Sequence, residues 1–136
     1  MLINVTEFLQ RIFYMLKNQK LKAFVSTTQP DRSRRFYKET LGLKLLSEDH
    51  YGIEFEANEA HIRISIVEKL TPQPFTVLGW DTKDIVSTIK SLIYKGVTFE
   101  RYSFIEQDDA GIWTAPDGTR VAWFKDPDGN LLSLSE

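Results

Sequence analysis

In residues 4–19, NVTEFLQRIFYMLKNQ, apolar residues recur every three to four positions, so that Val5, Phe8, Leu9, Ile12, Phe13 and Leu16 fall on one side of a helix. Asn4 followed three residues later by Glu7 has the form of a capping box, which predicts a helix starting near Val5. After Lys20 the period changes. LKAFVSTT reads as a strand, and PDRSRRFYKETLG as a helix with Pro30 in its first turn and Gly42 as its stop. LKLLSE, YGIEFEA and HIRISIVE follow as strands. The plan then repeats. FTVLGWD is a strand, TKDIVSTIKSLIYKG a helix closed by Gly96, and VTFERY, GIWTA, RVAWFK and LLSLSE are strands, the last three joined by PDGT and DPDGN turns. A strand–helix–strands unit that occurs twice is an internal repeat. It predicts an α+β domain of two similar modules, residues 21–70 and 75–136, each with a helix over one sheet face. KLTPQPF links them, because Pro72 and Pro74 lack the donors a ladder needs. Residues 1–20 stand apart as an N-terminal helical extension.

Composition narrows the functional classes. A length of 136 residues suits one domain with one core, and 42% hydrophobic with 26% charged residues is an ordinary globular balance. The net charge of −2 gives no basic field for nucleic acid or anionic lipid. With no cysteine there is no disulfide, thiolate nucleophile or zinc–thiolate site, which fits a reducing compartment and a cytoplasmic protein. No apolar run reaches the roughly 18 residues of a membrane span. The N-terminal stripe is interrupted by Arg11 and lacks a basic start, so it does not read as a signal peptide. Its polar face carries too few lysines and arginines for a membrane-surface anchor. The expected role is packing on the domain or on a dimer partner, and Met15, just before LKNQKLKAF, leaves a start at that point open.

The last hairpin fixes which residues share a face. In DPDGN, Pro127 at the second turn position and Gly129 at the fourth suit a type I turn followed by a left-handed residue. Asp126 then pairs with Asn130 and Lys125 with Leu131, which sets Trp123 opposite Ser133 on one face of the hairpin. Phe124 and Leu132 fall on the other face.

The pair Phe36-Tyr37 followed by LGLKLL, the terminal DPDGN and the doubled plan together resemble the vicinal oxygen chelate superfamily, which includes glyoxalase, bleomycin-resistance and extradiol dioxygenase groups. The resemblance covers residues 21–136. It implies two βαβββ modules curled into an incomplete barrel with helices outside. It also implies a divalent ion held by His, Gln and Glu side chains in the metal-dependent members. The positions that correspond to those ligands are Lys22, either Phe75 or Val77, and Ser133. An ammonium repels a cation, and neither an apolar side chain nor a serine hydroxyl holds one well. The expectation is therefore no metal and no cofactor. A substitute pair, His61 with Glu54 or Glu56, falls short of three converging ligands, and His50 lies in a turn.

Without a metal, the expected site is a pocket of Phe24, Ser26, Phe75, Tyr102, Phe104, Gln107, Trp113, Trp123 and Ser133, aromatic with a few polar groups. The alternative for each single aromatic is plain core. Glu106 and Asp108 are weak candidates for a general base, if burial raises their pKa. There is no phosphate loop and no histidine placed for a serine nucleophile. Three functions stay open. The chain binds a small aromatic or cationic molecule without metal, or is a superfamily enzyme of lyase, isomerase or dioxygenase type, or is a regulatory or interaction module using the N-terminal helix. A homodimer is expected, since two modules leave open sheet edges.

Overall fold

A computed structural model describes Leu2 and residues 4–136. Helix α1 spans Val5–Phe13, and Asn4 Oδ1 accepts the Glu7 backbone N–H at 2.8 Å. The helix stops short of the apolar pattern, and a 3-10 turn, Leu16–Asn18, follows it. The first module is β1 (Lys22–Thr27), α2 (Pro30–Arg35), β2 (Lys44–Glu48), β3 (Gly52–Ala57) and β4 (Ala60–Ile66). The second is β5 (Thr76–Asp81), α3 (Ile85–Tyr94), β6 (Trp113–Thr114), β7 (Arg120–Lys125) and β8 (Leu131–Ser135). Their sheets are ordered β1-β4-β3-β2 and β5-β8-β7-β6, the same path used twice. In each, the first strand runs parallel to the last and the hairpins are antiparallel. Two curled sheets with helices outside give the α+β architecture expected from the repeat.

Each strand is two-faced. Val25, Ile53, Phe55, Ile62 and Ile64 turn outward from the first sheet and are buried, as are Ala122, Phe124, Leu132 and Leu134 from the second. Ile85, Ile89 and Leu92 of α3, at i, i+4 and i+7, close the second layer. Asp84 caps α3, its carboxylate accepting the Ser87 N–H at 3.0 Å, so the helix starts at Ile85, the first apolar residue of the segment that begins at Thr82.

Two expectations are corrected. Residues 97–102 do not form a strand: only a bridge from Phe99 to Phe124 and the Glu100 N–H to the Trp123 carbonyl join the sheet edge. The backbone there is occupied instead by its own loop. Gln107 Oε1 accepts the Tyr102 N–H, and its Nε2 donates to the Glu100 and Gly111 carbonyls. The first-module helix is also not uniform, since after Arg35 it widens into a π-helical turn, Phe36–Thr40. That turn carries Tyr37 into the core, where its hydroxyl donates to Asp126 Oδ2 at 2.7 Å.

The Asp126–Asn130 turn is the bolt between the modules. Gly129 has φ +89°, as a left-handed turn position requires, and the Asp126 N–H donates to the Asn130 carbonyl. Asp128 accepts from the Thr27 hydroxyl and, at 2.8 Å, from the Thr28 N–H. Asn130 Nδ2 donates to the Ser26 carbonyl at 2.9 Å. Burial pushes the Asp128 carboxyl up, but these donors outweigh it and hold its pKa below the usual value. Burial raises the Asp126 pKa against the hydrogen bonds from Asn130 and Tyr37. Burial and the Asp126 charge push the Tyr37 phenol well up, so it remains a donor. The sequence features that carried the resemblance therefore build the junction between modules.

Candidate functional site

The two concave walls differ in chemistry. In the first module, Lys22, Phe24 and Ser26 alternate with buried neighbours and lie beside His61, Arg63 and Ser65 of β4. Glu54 of β3 pairs in register with Arg63, and Glu56 with His61. The side chains form a ladder: Lys22 Nζ and Arg63 Nη1 each donate to Glu54 Oε1 at 3.0 Å, and Arg63 continues to Asp49 at 3.1 Å. Burial raises the Glu54 pKa, but the two cations outweigh it and keep the group ionised below its usual range. Its second oxygen is buried and takes no hydrogen bond.

In the second module the wall is aromatic. Trp123 and Ser133 are a register pair, as the turn geometry required, with Gly79 on the other side of Ser133. A Cβ at position 79 would lie 2.7 Å from Ser133 Oγ, so only glycine lets β5 and β8 meet there without displacing that side chain. Trp113 is carried onto the same wall by pairing with Val121. The rings of Trp113 and Trp123 lie 6.2 Å apart at 33°, and Tyr102 meets Trp123 edge-on at 5.7 Å. Tyr102 in turn stacks at a tilt on Phe104, 5.3 Å away. These rings, with Phe75 and Leu131, line an apolar cleft of about 290 Å³. Burial, and then the nearby Glu100, raises the Tyr102 pKa, so the phenol stays neutral at ordinary pH.

Five of the expected pocket residues therefore converge: Phe75, Tyr102, Phe104, Trp113 and Trp123. Others do not. Phe24, Ser26 and Val77 line a separate shallow recess with Pro72 and Asn130. Ser133 stands beside the cleft without lining it, and Gln107 is spent on holding the 100–111 loop. The candidate bases are exposed, not buried. Asp108 uses one carboxylate oxygen to accept the Ala110 and Ile112 N–H groups at 2.9 Å each, so it acts as a loop cap. Strict alternation along β5 would set Phe75, Val77 and Gly79 on one face, but it fails at a β-bulge between Thr76 and Leu78. Thr76 instead pairs with Leu131 and joins the cleft, as do Pro74 and Ile105. Leu131 was readable from the hairpin register two residues before Ser133; the bulge has no sequence signature.

The donor set does not fit the divalent ion that the fold family implies. Lys22 is an ammonium already paired with Glu54, Ser133 offers a neutral hydroxyl, and Phe75, Thr76 and Val77 offer no strong ligand. His61 Nε2 lies 3.7 Å from Glu56, a pair without a third ligand, and no group of three His, Asp or Glu residues converges among the described residues.

Comparison with known proteins places this geometry. A family model described as Glyoxalase/Bleomycin resistance protein/Dioxygenase superfamily matches residues 21–134. No curated protein matches the chain. Among solved structures it is similar to a glyoxalase family protein from Bacillus anthracis, with TM-score 0.68, 20% identity, and coverage of 86% of this chain and 93% of that one. A superfamily member from Sphaerobacter thermophilus gives 0.67 at 23% identity, covering 86% and 95%. A lactoylglutathione lyase from Agrobacterium tumefaciens gives 0.67 at 13% identity, covering 85% and 91%. At these identities the likeness is one of fold.

Proposed function

The chain belongs to the Glyoxalase/Bleomycin resistance protein/Dioxygenase superfamily, and from that premise we propose that it binds a small planar aromatic molecule, neutral or cationic, without a metal. The observation that carries this reading is the convergence of Tyr102, Phe104, Trp113, Trp123 and Phe75 on one apolar cleft. Flat rings inserted there meet offset or edge-on partners, worth about 0.5–1.5 kcal/mol per aromatic pair beyond area burial. The tryptophan and tyrosine faces also attract a cation. No carboxylate lines the cleft, so the preference for a cation rests on ring faces alone. The enzyme alternative gains less support, because neither Glu106 nor Asp108 lines the cleft.

The test is tryptophan quenching with quinoline, N-methylquinolinium and naphthalene-2-sulfonate in the presence of a chelator. Saturable quenching by the first two, weakened at least tenfold in Trp123→Ala, is expected. Absence of saturation by any of the three at millimolar concentration contradicts the reading. The protein is further proposed to act as a homodimer. β1 and β2 of the first sheet and β5 and β6 of the second are edge strands, and such edges are ordinarily covered.

A further inference from the structure

Helix α1 lies outside the residues matched by the family, yet its form is specified by its own sequence. Asn4 caps its start, and after its end Asn18 Nδ2 donates to the Ile12 carbonyl at 2.8 Å and Gln19 Nε2 to the Phe13 carbonyl at 3.3 Å. None of its residues is buried. Val5, Phe8, Leu9 and Phe13 remain 53–73% exposed, on one continuous stripe. A nine-residue helix is marginal alone in water and draws its stability from burying such a face.

We propose that α1 packs antiparallel against α1 of a second copy, about a two-fold axis, and forms a principal contact of the homodimer. The first support is the pattern. In an antiparallel two-fold pair, residues facing each other have numbers of constant sum. With a sum of 21 the apolar residues within the helix map onto themselves, Phe8 meeting Phe13 and Leu9 meeting Ile12, while Val5 reaches toward the turn that carries Leu16. At about 100° per residue, Glu7, Gln10 and Arg11 fall away from the apolar stripe, so no charge enters the seam.

The second support is area. The accessible surface is 9570 Å² for 15.8 kDa, whereas a monomer of this mass exposes about 7,300 Å². The excess of about 2,300 Å² is more than the roughly 800 Å² per partner of a standard interface. The third is charge. Within α1, Glu7 and Arg11 cancel, which leaves nothing to attract an anionic lipid surface.

This inference deepens the homodimer reading, and the experiment separates the two. Light scattering on the full chain at about 50 μM is expected to give twice 15.8 kDa. Phe8→Glu with Phe13→Glu is expected to weaken dimerisation at least 100-fold while the urea midpoint of the remaining domain holds. Gln10→Glu, which lies off the apolar stripe, leaves the dimer no weaker. Because the chain has no cysteine, Leu9→Cys chains mixed with Ile12→Cys chains report direction. Cross-linking between the two kinds is expected to outpace cross-linking within either. A monomeric wild type sinks both readings, including when the chain then binds phosphatidylserine vesicles. A dimer indifferent to Phe8→Glu with Phe13→Glu, or faster 9–9 and 12–12 cross-linking, overturns the antiparallel helix contact alone.

Discussion

The two modules share one strand order and differ in what they offer to the space they enclose. The inner wall of the first is a charge ladder, Lys22–Glu54–Arg63–Asp49, while that of the second is aromatic, built by Trp113, Trp123 and the loop rings of Tyr102 and Phe104. Their outer faces are alike, buried and mostly Ile, Phe, Leu, Val and Ala. Because strand side chains alternate, the outer set can hold the fold while the inner set varies. The first wall pairs its charges with one another through Glu54 Oε1 and Asp49. The second leaves ring faces unfilled, and binding is assigned there.

If the outer faces carry the fold, Phe55→Ala in the first module and Phe124→Ala in the second should destabilise equally, by about 3–5 kcal/mol each, in urea titration. Both side chains are fully buried. A loss confined to one module, seen as a split transition, would break the likeness. Next in size is the bolt. Asp126→Ala strands the Tyr37 hydroxyl and the donors of Asn130, and is expected to cost about 2–3 kcal/mol. Tyr37→Phe removes one of those bonds and should cost less, about 1–2 kcal/mol.

The smallest effect belongs to the charged wall. Glu54→Gln is expected to cost about 1–2 kcal/mol at neutral pH, since its carboxylate stands between two cations and is 13% exposed. The pH dependence sharpens this. A carboxyl held below its unfolded value, about 4.3 for Glu, contributes stability fully present above that value and lost as pH falls through the folded one. The urea midpoint of the wild type should therefore drop more steeply below about pH 4.3 than that of Glu54→Gln. Equal slopes would show that the ladder contributes nothing.

Hydrophobic periodicity and turn chemistry made most of the architecture legible. The two helix–strand units, the cap at Asn4, and the Trp123–Ser133 pairing all follow from local rules that the structure obeys. Other features depend on tertiary competition. Residues 97–102 have strand composition, but Gln107 takes the Tyr102 N–H and the Glu100 carbonyl that a ladder would have used. The bulge between Thr76 and Leu78 shifts side-chain parity by one residue, so Thr76 reaches the cleft beside Phe75 while Val77 opens on the other recess. Phe24 and Ser26 were assigned to the right face of β1 but open on a different recess, because parity sets direction and not neighbours. Gln107, expected in the pocket, and Asp108, a candidate base, also fasten the loop, a role visible only once the loop is closed, and with Glu106 they line a recess on the Trp113 side.

The aromatic wall of the second module is proposed to take a flat organic ligand unaided by metal. The three tryptophan indole N–H resonances test it directly, because Trp113 and Trp123 line the cleft whereas Trp80 packs against the core behind it. With chelator present, titration with quinoline or N-methylquinolinium is predicted to shift the Trp113 and Trp123 signals saturably and to leave Trp80 in place. Signals that stay still until zinc or manganese is supplied would contradict it.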